Sequence, residues 1–210
     1  MTEDRRVDSK KLVSILTAFL AIEWIFAAIA PYDRKDWLLE NILVILFVPV
    51  IWHSVLKAPL SRLSYISLFL FLYLHELGSH YTYAQVPYKE WASSLLGWDL
   101  GGGRNNFDRL VHFLYGFLFT IPVMEWFARK FSLRGFVKYF LPVNLIMSTS
   151  MIYELIEWLV AELFGGDLGQ AYLGTQGDVW DAHKDMALAS LGSVLIMGLY
   201  LLYKKKVHEK

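Results

Sequence analysis

The stretch Trp37–Val55, WLLENILVILFVPVIWHSV, decides the fold. It is a long apolar run with one carboxylate, Glu40, and it is as long as a helix must be to cross the ~30 Å hydrocarbon core of a bilayer, which takes roughly 20 apolar residues. Working outward, five more segments read the same way: Leu12–Ala30, Leu60–Leu77, Phe107–Phe127, Phe136–Phe164 and Asp181–Tyr203. The run from Leu12 is too long for a signal-peptide core and has no clear cleavage site, so it reads as a retained first span. The composition agrees, with 56% hydrophobic and 16% aromatic residues over 210 positions. The expected fold class is therefore all-α: one polytopic transmembrane domain over residues 1–210, a bundle of about six helices.

Charge orients the bundle. With the N-terminus in the cytoplasm, Arg5, Arg6, Lys10, Lys11, Lys57, Arg62, Arg129, Lys130, Arg134, Lys138, Lys204, Lys205, Lys206 and Lys210 fall inside, against Arg34, Lys35, Lys89, Arg104, Arg109 and Lys184 outside. The positive-inside rule then places both termini in the cytoplasm. Basic and acidic residues balance at 20 each, which points to no nucleic-acid partner. There is no cysteine, so disulfides, thiolate catalysis and thiolate metal sites are excluded. The two long outer loops, 78–106 and 165–180, are rich in glycine and aromatics and are expected to fold over the outer end of the bundle.

Ionisable groups within spans are costly, roughly 2.5–3.5 kcal/mol each at a helix centre, and here they agree in depth. The third helix ends in His75-Glu76-Leu-Gly-Ser-His80, and the fourth begins Arg104-Asn-Asn-Phe-Asp108-Arg109-Leu-Val-His112. The fifth carries Glu154-Leu-Ile-Glu157 near its outer end, and the sixth begins Asp178-Val-Trp-Asp181-Ala-His183-Lys184-Asp185. Asp108 and His112, Asp181 and Asp185, and Glu154 and Glu157 each share a helix face by their spacing. Facing lipid, the five carboxylates would be unfavourable by roughly 15 kcal/mol, so they are expected to converge inward. The six side chains are expected within about 10 Å of one another, a span that one or two metals and waters fill.

So many carboxylates need protons, arginines or a metal between them. Carboxylate with imidazole and no sulfur suits zinc, manganese or iron, and a carboxylate-dominated site suits magnesium or calcium. The candidate ligands of a divalent metal (zinc, manganese or magnesium) are Asp108, His112, Glu154, Glu157, Asp181 and Asp185, with His80 and Asp178 beside them. His75 or a free carboxylate would act as base, and Arg104 or Arg109 would hold an anionic headgroup. Plainer readings stand beside these. His75 and His80 would cap a helix, Asp108 would pair with an arginine, Asp178 would be an N-cap, and Glu23, Glu40, His53, Glu125 and Asn144, lacking same-face partners, would make structural hydrogen bonds. One local echo, Asn105-x-Phe107-Asp108-x-x-x-His112 against Asp178-x-Trp180-Asp181-x-x-x-Asp185, reads as two helices that start alike.

At four places, His80-Tyr-Thr-Tyr-Ala-Gln-Val-Pro87, Arg104 through Phe113, Tyr153-Glu154-Leu-Ile-Glu157-Trp158 and Leu173 through Met186, the chain resembles the YjdF-like family of bacterial inner-membrane proteins, and the match covers nearly its whole length. More remotely it resembles VanZ-like proteins at Asp108, Arg109, His112, Phe113, Glu154, Asp181 or Asp185, and Gly192, departing from them where Asp185 follows Asp181 without the expected asparagine. The resemblance implies the bacterial cytoplasmic membrane and a cell-envelope role. The function expected is a metal-dependent hydrolase acting on an envelope or lipid-linked substrate among membrane lipids. The alternatives are an ion- or ligand-binding or proton-coupled membrane protein without catalysis, and a purely structural ion-pair network.

Overall fold

The computed structural model describes residues 3–166, 169 and 173–208. Part of the predicted outer loop 165–180, and Lys210 among the inner charges, lie outside the described residues. Within them the chain is all-helical, without a strand: α1 Glu3–Ala27, α2 Arg34–Lys57, α3 Arg62–His80, α4 Tyr88–Leu96, α5 Phe107–Lys130, α6 Val137–Phe164 and α7 Asp181–His208. Four of these, α2, α5, α6 and α7, are long and apolar enough to cross a membrane. The other two expected spans are helices as well. In α1 the first turns are charged, and α3 is the buried centre of the bundle, with Tyr65, Phe69 and Leu72 inaccessible and polar groups at its end. The short α4 lies inside the loop predicted over 78–106. It begins after Pro87 and ends at Gly97, whose left-handed φ of 68° closes the last turn.

Hydrogen bonds fix which helix ends meet. The Tyr32 amide donates to the His80 carbonyl (2.9 Å), and Trp37 Nε1 donates to Glu76 Oε1 (2.9 Å), so the start of α2 sits beside the end of α3. At the opposite end, the Ser61 amide donates to Glu125 Oε2 (2.7 Å), and Lys204 Nζ donates to the Tyr139 hydroxyl (2.9 Å). The six long helices therefore alternate up and down, and all the chemistry-bearing ends lie together. Glu125 and Asn144 have structural roles: Glu125 also meets Arg129 at 3.6 Å, and Asn144 Nδ2 donates to the Phe140 carbonyl.

The tightest packing joins α5 to α7, which run parallel. A Cβ on Gly116 would strike the Ala189 carbonyl oxygen, and one on Gly192 would strike that of Phe113. The two backbones touch through these gaps, as small residues permit between membrane helices. Thr120 Oγ1 and Ser193 Oγ, 73 residues apart, are 2.6 Å from one another at the same seam. The echo seen in the sequence has this spacing, since Asp108 stands to Asp181, and His112 to Asp185, as Thr120 stands to Ser193. Both helices also start alike: the Phe107 amide donates to Asn105 Oδ1 (3.0 Å), and the Trp180 amide to Asp178 Oδ1 (3.1 Å). Large apolar side chains stay exposed along α2 (Leu38, Ile42, Ile45), α6 (Ile152, Leu155, Leu159) and α7 (Leu191, Val194, Leu195), a belt suited to lipid.

Candidate functional site

The first turns of α5 and α7 face each other because their helices touch two turns further along. Their amide ends carry partial positive charge, which favours the carboxylates placed there. Asp108, His112 and Asp185 converge so that one ligand atom from each lies within 4.8 Å of the other two. His112 Nε2 is 3.5 Å from Asp108 Oδ1 and 3.6 Å from Glu154 Oε1. Glu157 lies one turn beyond Glu154 on α6, and both side chains are buried. Asp185 is 2% exposed, and its Oδ1, like Glu154 Oε1, has no hydrogen-bond partner among the described residues. An ionised carboxylate oxygen buried in that way costs at least about 1–3 kcal/mol, which a proton or a cation would offset.

Asp181 and Asp178 are placed differently. Arg104 meets Asp181 at 2.6 Å, and Arg109 meets it at 3.2 Å and also pairs with Asp178. Lys184 Nζ reaches Asp178 at 2.5 Å. Lys184, then the Trp180 amide and Arg109, hold the Asp178 carboxyl well below its usual value of 3.8. These two aspartates form a clasp with the arginines above the His112 group, because their side chains leave the helix start towards the loop that carries Arg104. Arg104 also donates to the carbonyls of Gly174 and Thr175, while the Asn105 amide donates to Gln176 Oε1 (2.9 Å) and Gln176 Nε2 returns a bond to the Asn105 carbonyl (2.9 Å).

His75 is buried and committed at both nitrogens. A carbonyl only accepts, so Nε2 donates to the Glu40 carbonyl (3.1 Å), and Nδ1 then accepts from the Tyr83 hydroxyl. Burial, with Glu40 and Asp108 nearby, holds the Tyr83 phenol well above its usual value, which keeps it a donor. Tyr83 fits there because Gly78 has no side chain: a Cβ at Gly78 would lie 2.5–2.8 Å from the ring. His80 is not brought to the group, since its Nδ1 donates to the Ala27 carbonyl (2.9 Å) and ties α3 to α1. His183 is exposed beside Trp180, with ring centres 5.3 Å apart.

Two further carboxylates line the site: Glu40, expected only to make a structural hydrogen bond, and Asp36, four residues before it on α2. Glu40 Oε2 accepts from the Tyr153 hydroxyl (2.9 Å), and Asp36, 1% exposed, has an unpartnered Oδ1. Both line a cavity of about 200 Å³ together with Asp108, His112, His75, Tyr83 and Glu157. The signal for Glu40 was in plain view, a carboxylate in the most apolar stretch of the chain, but its partner comes from another helix.

Residues 12–206 match the family model described as a predicted membrane protein, DUF2238. The chain is 36% identical over 186 residues to the inner membrane protein YjdF of Escherichia coli (strain K12), covering 86% of this chain and 84% of that protein. No solved structure matches.

Proposed function

The chain belongs to the DUF2238 family of predicted membrane proteins and is a multi-pass protein of the bacterial inner membrane, and on that footing we propose that it is a metal-dependent hydrolase of an envelope or lipid-linked substrate. All six long helices cross the membrane, both termini are cytoplasmic, and the cavity opens towards the outer face. Asp108, His112 and Asp185 hold one divalent ion. One observation carries this reading: three ligand atoms of two types within 4.8 Å of one another, with a buried Asp185 oxygen that no group among the described residues satisfies. Two carboxylates and an imidazole fit zinc or manganese, and water-rich magnesium less closely. The ion would supply Lewis acidity to a substrate oxygen. Glu154 and Glu157, with no arginine partner among the described residues, would take a proton from water, and Arg104 and Arg109, paired with Asp181 and Asp178, would share those bonds with an anionic headgroup.

A second reading, ion or proton binding without catalysis, has its own observation. Glu154 and Glu157 are neighbouring buried carboxyls, an arrangement that holds a shared proton as readily as a metal. Metal analysis of the purified protein separates the two. The metal reading expects bound metal in the wild type and its loss in His112→Ala and Asp185→Asn. It also expects a wild-type melting temperature that chelator lowers, since free metal at 100 times its Kd stabilises by about 2.7 kcal/mol. A metal-free wild type whose melting ignores both chelator and added zinc, manganese or magnesium would sink the metal mechanism.

A further inference from the structure

We infer that the cavity beside the Asp108–His112–Asp185 group binds an organic ammonium, the head of a free amine or of an amine-bearing lipid. The inference rests on this cavity being a ligand site, and not on the metal. Two features of the wall do not suit a metal alone. The first is aromatic: Phe47, Phe71, Tyr83 and Tyr115 line the space, and aromatic faces attract weakly hydrated alkylammonium groups. The second is charge. Asp36, Glu40, Asp108 and Glu157 line the same space; His112 faces Asp108, and no lysine or arginine among the described lining residues answers the other three. The nearest cations, Arg104, Arg109 and Lys184, are turned to Asp178 and Asp181.

Asp36 makes the case specific. Its carboxyl is buried on the wall of the cavity that His112 also lines, it is not one of the three clustered ligand residues, and its Oδ1 has no donor among the described residues. A divalent ion held by Asp108, His112 and Asp185 leaves that oxygen and the aromatic walls unused. A group with N–H or N–CH₃ charge and a short stem uses both. The walls are also held in place beforehand: His75 stacks against Phe71 with ring centres 6.0 Å apart and an interplanar angle of 15°, and its other face of bonding fixes Tyr83 and Glu40. Such preorganisation lowers what binding costs in ordering.

The experiment uses the full chain in detergent with EDTA present, which removes the metal as a variable. Choline, ethanolamine and 3,3-dimethylbutan-1-ol, the uncharged isostere of choline, are titrated by calorimetry. At least one of the two amines is expected to bind at least about tenfold tighter than the neutral isostere. Asp36→Asn and Glu40→Gln should each weaken that amine by about tenfold with unchanged circular dichroism, while Asp8→Asn, exposed on α1 beside Arg62 and far from this cavity wall, leaves it within about twofold. Dihexanoyl phosphatidylethanolamine binding better than ethanolamine assigns a lipid as the source, and equal binding assigns the free amine. Either result upholds the inference. Equal binding of the amines and the neutral isostere, or no binding of any of them, overturns it. Because the metal is chelated throughout, loss of amine binding and loss of metal binding are read separately.

Discussion

Replacing Gly116 with alanine drives a methyl group into the backbone of α7. The added carbon would run into the Ala189 carbonyl oxygen and lie 2.8 Å from both Ala189 C and Ser193 N, where ordinary contact starts at 3.4 Å. The obstacle is backbone on a helix buried at this seam, so no side chain can swing away. The carbonyl oxygen is the nearest obstacle, so the two helices must part by about 1 Å or more, and overpacking of this kind costs about 1–3 kcal/mol. The 2.6 Å contact between Thr120 and Ser193 lies one turn away and weakens with it. An interhelical bond of that kind contributes about 0.6 kcal/mol in membrane proteins. Alanine recovers about 1 kcal/mol of helix propensity, which leaves a net loss of about 0.6–2.6 kcal/mol. Unfolding in mixed micelles, followed by circular dichroism, measures it. Gly198→Ala is the matched control, because a Cβ there meets nothing within 4 Å. It should be neutral or gain up to about 1 kcal/mol. The chain has no cysteine, so Thr120→Cys with Ser193→Cys should also form a crosslink without background. Equal stability of Gly116→Ala and the wild type, or an equal loss at Gly198, would refute the backbone contact.

Single cysteines at Leu95 and at Lys206 should label from opposite sides of the membrane, and labelling from the same side rules out the proposed six-span topology. Acid should act on the clasp through Asp178. Its carboxyl lies below its usual 3.8 in the folded chain, so the stabilisation it lends is complete above that pH and is lost as pH falls towards the folded value. Melting curves below pH 4 should therefore fall more steeply for the wild type than for Asp178→Asn, and parallel slopes would remove the clasp from the account.

How much was legible follows from where each partner lies in the chain. Apolar runs report helices directly, so the long helices appear near their expected places, and Asp108 and His112, spaced four apart on α5, do meet. Glu154 meets His112, as same-depth reasoning required. What periodicity on one helix does not report is the partner on another. Glu40 has a same-face neighbour in Asp36, four residues earlier on α2, a pairing the apolar run hid, and its hydrogen-bond partner, Tyr153, is 113 residues away. Asp181 looked like a ligand by spacing, yet Arg104 reaches it from a loop whose course no helical pattern describes. The helix α4 was hidden for a different reason. Pro87 and Gly97 bracket it as start and stop signals, but it is too short for apolar periodicity to stand out.

The bond from Tyr153 to Glu40 spans two helices that scarcely pack on one another, with the cavity between them. The bond is thus one tie across that flank of the cavity rather than part of a packed wall. Were the flank to part, a tailed molecule would keep its hydrocarbon chain in the bilayer while only its polar end passed the Tyr153 hydroxyl. Its chain would not have to be lifted into water, nor the clasp of loops be opened. Tyr153→Phe, which removes the tie and keeps the ring, would then speed binding of tailed molecules over small soluble ones, and equal rates for both would count against such a route.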